Sequence, residues 1–225
     1  FNSPANIEAT VSAMKKHRLK FVGLGSSANM HFSPGQERDK NIEEAKRFIM
    51  LAEQIGCPYV RVFPNRFPKE QDKTATTRWI AEGLRELGEF AKHKNVTVLM
   101  ETHGDVVWVE DILAIMRVAK HPNVGLVWDI SNMWGITREN PAEICASLYP
   151  YIRHTHIKDA VIVDGKPGYK FLGKGEVPLG PAIRALRKSG YKGYFSFEWE
   201  KLWHPEIAEP AEAFADYPRS IQQYL

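Results

Sequence analysis

Six short apolar runs, each bounded by Gly, Pro, Asn or Asp and separated by helical patterns, confine this chain to an α/β fold. The runs are 20–25 (KFVGLG), 59–63 (YVRVF), 96–101 (VTVLME), 124–129 (VGLVWD), 152–157 (IRHTHI) and 194–198 (YFSFE). Near-continuous hydrophobicity over so few residues reads as parallel strands buried on both faces. Between them, residues 41–55 place Ile42, Ala45, Ile49 and Ala52 on one helical stripe that Gly56 and Pro58 stop. Helices are also predicted over 76–93, which carries Trp79, Leu84, Leu87 and Phe90, over 109–119, over 181–189, and from Asn6 to His17. No linker or shift in composition interrupts the alternation, so residues 1–225 read as one domain.

A closed (β/α)8 barrel has eight strands, six are legible, and the first readable element is a helix. The expectation is a TIM-type barrel whose first two strands are absent from this chain. An open doubly wound sheet is the alternative, but it carries a glycine-rich first βα turn. GLGSS at 23–27 lacks the third glycine at the right spacing.

Four ligand-type residues sit at the ends of these runs: Glu101, Asp129, His156 and Glu198, at intervals of 28, 27 and 42 residues. That is roughly one strand-plus-helix unit between the first three. Successive strand ends are where a parallel barrel gathers ligands above its core. A carboxylate ending an apolar strand is costly to bury unless a cation or hydrogen bonds meet it. Three oxygen donors and one imidazole suit a single Mn²⁺, Mg²⁺ or Co²⁺ ion, and Zn²⁺ also fits; thiolate ligands are absent from the set. Such a site leaves coordination positions for a substrate's vicinal oxygens, stabilising the enediolate formed when a carbon-bound proton leaves. Carboxylates on opposite sides of that substrate can remove and return the proton.

The motifs ETH at 101–103, WDISN at 128–132, HTHIKD at 154–159, GKGEV at 173–177 and GYKGYFSFEWE at 190–200 resemble the sugar phosphate isomerase/epimerase family, of the xylose isomerase-like TIM barrel superfamily. The resemblance runs from about Leu19 to Glu200. It implies Glu101, Asp129, His156 and Glu198 as metal ligands, with Glu101 and Glu198 as the proton-transferring, catalytic pair. The ketose 3-epimerases of that superfamily carry a His where this chain has Asn132, an Arg where it has Ile162, and a Glu where it has Val107. Those positions grip the substrate in that subgroup, so the ring and metal are expected to be shared while the substrate differs.

Strand parity adds candidates for substrate contact. His103 lies two residues past Glu101, on the same face; a helix-start cap is its other reading. His154 shares the face of His156 and reads as a core or supporting histidine. Lys158 is placed to neutralise an oxyanion or phosphate, with Asp159 orienting its neighbours. Glu200 shares parity with Glu198. Arg61, inside YVRVF, meets either an anionic substrate or a structural partner. His31 belongs to a loop after the first run, and the tail EKLWHPEI, with Trp203 and His204, either closes over the pocket or packs as surface loop. GKGE at 173–176 reads as a glycine-bracketed turn more than a phosphate loop.

The leading expectation is thus a metal-dependent isomerase or epimerase of a sugar, sugar acid or polyol. A dehydratase acting on a keto-cyclitol uses the same intermediate. An endonuclease IV-like DNA-repair enzyme needs a cluster of several metals and more ligands than one set, and a formal charge of +3 is small for a nucleic-acid or membrane partner. A non-catalytic carbohydrate binder is the third class. There is no P-loop, CxxC pair or Gly-x-Ser-x-Gly elbow. The two cysteines, Cys57 and Cys145, fit a reducing, cytoplasmic compartment, and no apolar run approaches the ~20 residues of a membrane span. Phe1 in place of an initiator Met leaves room for a removed leader or missing N-terminal segment. Trp134 and Trp203 would suit a contact in a homo-oligomer.

Overall fold

In the computed structural model, which describes residues 3–225, the chain opens on helix α1 (Pro4–Lys16). Ser3 starts it, its Oγ accepting the Asn6 N–H at 3.3 Å, with Pro4 in the first turn and Lys15 and Lys16 in the last. The residues pack as two compact units. One holds the chain up to Met100 together with Ile115–Gly125; the other holds Glu101–Ala114 together with Leu126–Leu225.

The first unit contains β1 (Leu24–Asn29), α2 (Gln36–Ile55), β2 (Tyr59–Phe63), α3 (Lys73–Ala91) and the start of β3 (Thr97–Glu101). These strands lie side by side and parallel, Leu24 opposite Val60 and Val60 opposite Val98. Helix α2 buries Ile42, Ala45, Ile49 and Ala52, the stripe read from sequence, and Gly56 ends it at φ 70°, in the left-handed region that glycine tolerates. Helix α3 is capped by Asp72 and buries Ile80, Leu84 and Leu87.

The first strand begins at Leu24, four residues later than the apolar run suggested. Its inward residues are small, Ser26 and Ala28, so hydrophobicity does not mark them. The N–H groups of Ser27 and Asn29 donate to Glu44 Oε1 and Asn41 Oδ1 of α2, at 2.8 and 2.7 Å. Polar helix side chains thus replace part of the ladder, whose register shifts between Gly25 and Asn29.

Strand β3, helix α4 (Val109–Ala119) and strand β4 (Val124–Asp129) each contribute residues to both units. The second unit continues through α5 (Ile130–Thr137), α6 (Pro141–Leu148), β5 (Ile152–Ile157), β6 (Asp159–Val163), β7 (Lys166–Lys170), α7 (Leu179–Lys188), β8 (Phe195–Phe197), α8 (Pro210–Ser220) and a 3₁₀ turn (Ile221–Tyr224). β4, β5 and β8 are parallel neighbours, with Asp129 opposite His156 and His156 opposite Ser196. Six parallel strands are therefore present among the described residues, the number the sequence predicts. Helices α5, α6 and α8 are additions to the prediction.

The hairpin β6–β7 is also an addition. It pairs Val163 with Lys166 across Asp164 and Gly165, whose φ values of 51° and 74° are both positive, as a type I′ turn demands. Its base is clasped by the GKGEV segment. The buried Asp159 carboxylate accepts the N–H groups of Ala160, Gly173, Gly175 and Val177 at 2.8–3.2 Å. Glu176 completes the clasp by accepting the Ile162 N–H at 3.1 Å. The glycine turn that loosely resembles a phosphate loop is thus filled by a protein carboxylate. A methyl group at Gly175 would stand 2.1 Å from Asp159 Oδ1 and 2.6 Å from the Ala160 nitrogen. Gly175→Ala is expected to destabilise the protein by about 3 kcal/mol, the upper end for overpacking, in urea titrations. A loss below about 0.5 kcal/mol would show that the clasp yields freely.

Candidate metal centre

Glu101, Asp129, His156 and Glu198 each offer a ligand atom, and these atoms all lie within 4.8 Å of one another. Each side chain owes its place to a strand end in the second unit. Thr102, which was not singled out from the sequence, ties two of those ends together. Its N–H donates to the Val127 carbonyl at 3.1 Å, and the Asp129 N–H donates to its Oγ at 2.9 Å. Its place between Glu101 and His103 in the ETH motif was the available signal. Asp129 Oδ1 accepts the Asn132 N–H at 2.8 Å, so the carboxylate also caps α5. His156 turns Nδ1 toward Glu101 Oε1 at 3.3 Å and Glu198 Oε1 at 3.5 Å.

Lys158 is buried inside this cluster. Its ammonium reaches Asp129 Oδ2 and Glu200 Oε1, both at 2.9 Å, and is bonded to Glu198 Oε2. Burial raises the Asp129 carboxyl to about 7, against the pull of Lys158. Burial lowers the Lys158 ammonium, but the charges of Asp129, Glu198 and Glu200 outweigh it and hold the group well above its ordinary value. For His156, burial is likewise outweighed by Glu101 and then Glu198, so the imidazole is raised. His154, its ring 5.7 Å from that of His156, is pushed down to about 4 by burial and then by its neighbour.

The donor set fits a divalent cation. Four carboxylates (Glu101, Asp129, Glu198 and Glu200) converge on one ammonium and one imidazole, so the cluster carries more negative charge than its own cations balance. Buried charge of one sign is sustained by a counter-charge. Three carboxylate oxygens and one nitrogen are the donors that Mg²⁺, Mn²⁺, Co²⁺ or Zn²⁺ accepts.

Beside the cluster lies a cavity of about 270 Å³ lined by His103, Ser131, Asn132, Ile136, Ile162 and Tyr169, among others. His103 and Asn132 are thus brought to the same cavity, while Lys158 and Glu200 are drawn into the ligand cluster. Tyr169 comes from the hairpin and was missed in the sequence. Its ring lies 5.9 Å from the Lys158 ammonium and 4.9 Å from the His204 ring, and burial raises its hydroxyl to about 12, keeping it a phenol. The Asp-Gly turn between two alternating runs was the signal for it. In the tail, Lys201 gathers the carbonyls of Pro205 and Ile207 and the Glu209 carboxylate, leaving Trp203 exposed. Arg61 belongs to the first unit, its guanidinium 3.9 Å above the Phe63 ring.

A profile of the xylose isomerase-like TIM barrel family matches residues 2–221. The chain belongs to that family. It is similar to the inosose dehydratase of Clostridium perfringens (strain 13 / Type A), with 24% identity over 238 residues, 93% of this chain and 78% of that protein. It is also similar to the L-ribulose-5-phosphate 3-epimerase UlaE of Escherichia coli (strain K12 / DH10B), with 25% identity over 215 residues, 91% of this chain and 74% of that one. Among solved structures, a xylose isomerase-like TIM barrel protein from Mycobacterium smegmatis in complex with magnesium superposes with a TM-score of 0.77 at 22% identity, over 99% of this chain and 78% of that chain. Relatives of this xylose isomerase-like chain thus include both epimerases and dehydratases. Among the described residues, no helix is long and apolar enough to cross a membrane. Both cysteines are free and buried.

Proposed function

We propose that this xylose isomerase-like barrel is a divalent-metal-dependent isomerase or epimerase of a small carbohydrate. The observation that supports it most is the convergence of Glu101 and Glu198 on one imidazole, within a set of four ligand atoms. Glu101, Asp129, His156 and Glu198 would hold the ion, which supplies Lewis acidity toward vicinal substrate oxygens. Glu101 and Glu198 then act as the proton-handling pair, one removing a carbon-bound proton beside a carbonyl and the other returning it. Lys158 keeps Glu198 and Glu200 in register, and His103 and Asn132 meet substrate hydroxyls. The similarity to inosose dehydratase favours a second reading, in which the same proton removal is followed by loss of a neighbouring hydroxyl from a keto-cyclitol.

Elemental analysis of purified protein against His156→Ala tests the metal centre. About one Mn, Mg, Co or Zn per chain, lost in the variant, is the expected result. A chain that takes up no metal after reconstitution, or a variant that binds as much as the parent, would remove the basis for enediolate chemistry.

A further inference from the structure

We infer that the cavity beside the ligand cluster receives an uncharged hydroxyl-bearing ring or chain end, so that the substrate carries no phosphate there; this rests on the carbohydrate reading above. Proteins bind a buried phosphate with Arg or Lys side chains, with a helix N-terminus, or with a glycine-rich run of backbone N–H groups. All three devices are present in the second unit, and each is either engaged by a carboxylate of the protein itself or turned away from the cavity.

The cations come first. Lys158 is held by Asp129, Glu198 and Glu200. Arg138 lies over the Trp134 ring at 3.9 Å and pairs with Glu176 at 3.3 Å. Lys166 and Lys170 are exposed, because the alternation along β7 turns Pro167 and Tyr169 inward and both lysines outward. The helix N-terminus comes second. α5 begins at the cavity, with Ser131 and Asn132 lining it, but Asp129 caps that terminus and takes the Asn132 N–H. The glycine turn is third, and there Asp159 holds the Gly173, Gly175 and Val177 N–H groups.

Among the described residues, the cavity lining contains no Lys, Arg, Asp or Glu. Ile136, Ile162 and Pro167 form an apolar part, while Ser131, Asn132, His103 and Tyr169 offer hydroxyl, amide and imidazole groups. That mixture suits the CH faces and hydroxyls of a sugar or cyclitol. A phosphate there would be desolvated without a counter-charge, beside a cluster that is already acidic. At about 270 Å³ the cavity is also slightly smaller than sites that take drug-sized ligands.

The test is calorimetric binding, to protein loaded with the ion that elemental analysis finds, of matched probes: D-fructose against D-fructose 6-phosphate, and D-ribulose against D-ribulose 5-phosphate. The free sugar of at least one pair is expected to bind at least tenfold tighter than its ester. Ile162→Arg is expected to narrow that ratio at least fivefold by placing a cation in the cavity. Ile136→Lys, at a half-exposed position that tolerates a charge, does the same should the first variant fail to fold. An ester that binds as well as its free sugar, or a ratio unmoved by a folded cationic variant, overturns the inference. If no member of either pair binds while the metal does, the carbohydrate reading itself falls, and the inference with it.

Discussion

Glu198→Gln is expected to lower solvent-deuterium exchange into the substrate by about 10²- to 10⁴-fold, the range for loss of a positioned proton-transfer group. The amide keeps the shape of the side chain and can still accept from Lys158, but it cannot take a proton from carbon. Glu101→Gln should show a loss of the same order, since both carboxylates face Nδ1 of the one imidazole. If the two residues act as a unit, the double variant loses little more than either single one. Measuring metal content beside exchange separates the two duties of each residue. Exchange falling while metal is retained assigns the loss to proton transfer. A rate within tenfold of the parent in either single variant would remove that residue from the proton-handling pair.

Lys158→Met is expected to cost about 3–5 kcal/mol of folding stability in urea or guanidinium titrations, because it strips a buried cation from carboxylates that face it. Three carboxylates lose the ammonium at once, and Asp129 is fully buried. Against a typical stability of about 5–15 kcal/mol, that loss takes up a large share. Adding Glu200→Gln should recover part of it, since one of the stranded charges is then removed. A loss below about 1 kcal/mol would mean the ammonium is free to leave the cluster.

The candidate ligand residues were legible because an acid or histidine at the end of an apolar strand stands out against what precedes it. Asp129 after VGLVW and Glu101 after VTVLM are both of this kind, and both are buried at strand ends. Their convergence could be anticipated from strand direction alone; their duties await the measurements above. The first strand was displaced in the reading because Ser26 and Ala28 point inward without being large or apolar. The hairpin escaped for a related reason. KPGYK alternates by exposure, but its inward residues are a proline and a tyrosine, and proline argues against a strand. Helix α5 was hidden because it starts directly at Asp129, with no residue between the strand end and its cap. Thr102 and Tyr169 act through partners remote in sequence, which residue type alone does not disclose.

The clasp around Asp159 separates what fastens the hairpin from what lines the cavity. The hairpin is fastened at its base by backbone N–H groups, and the clasp makes no use of Ile162, Pro167 or Tyr169 side chains. Substitutions at those inward positions change the cavity lining without removing a hydrogen bond of the clasp. The cavity wall can thus be rebuilt from one side of the hairpin while the anchorage beneath it stays intact.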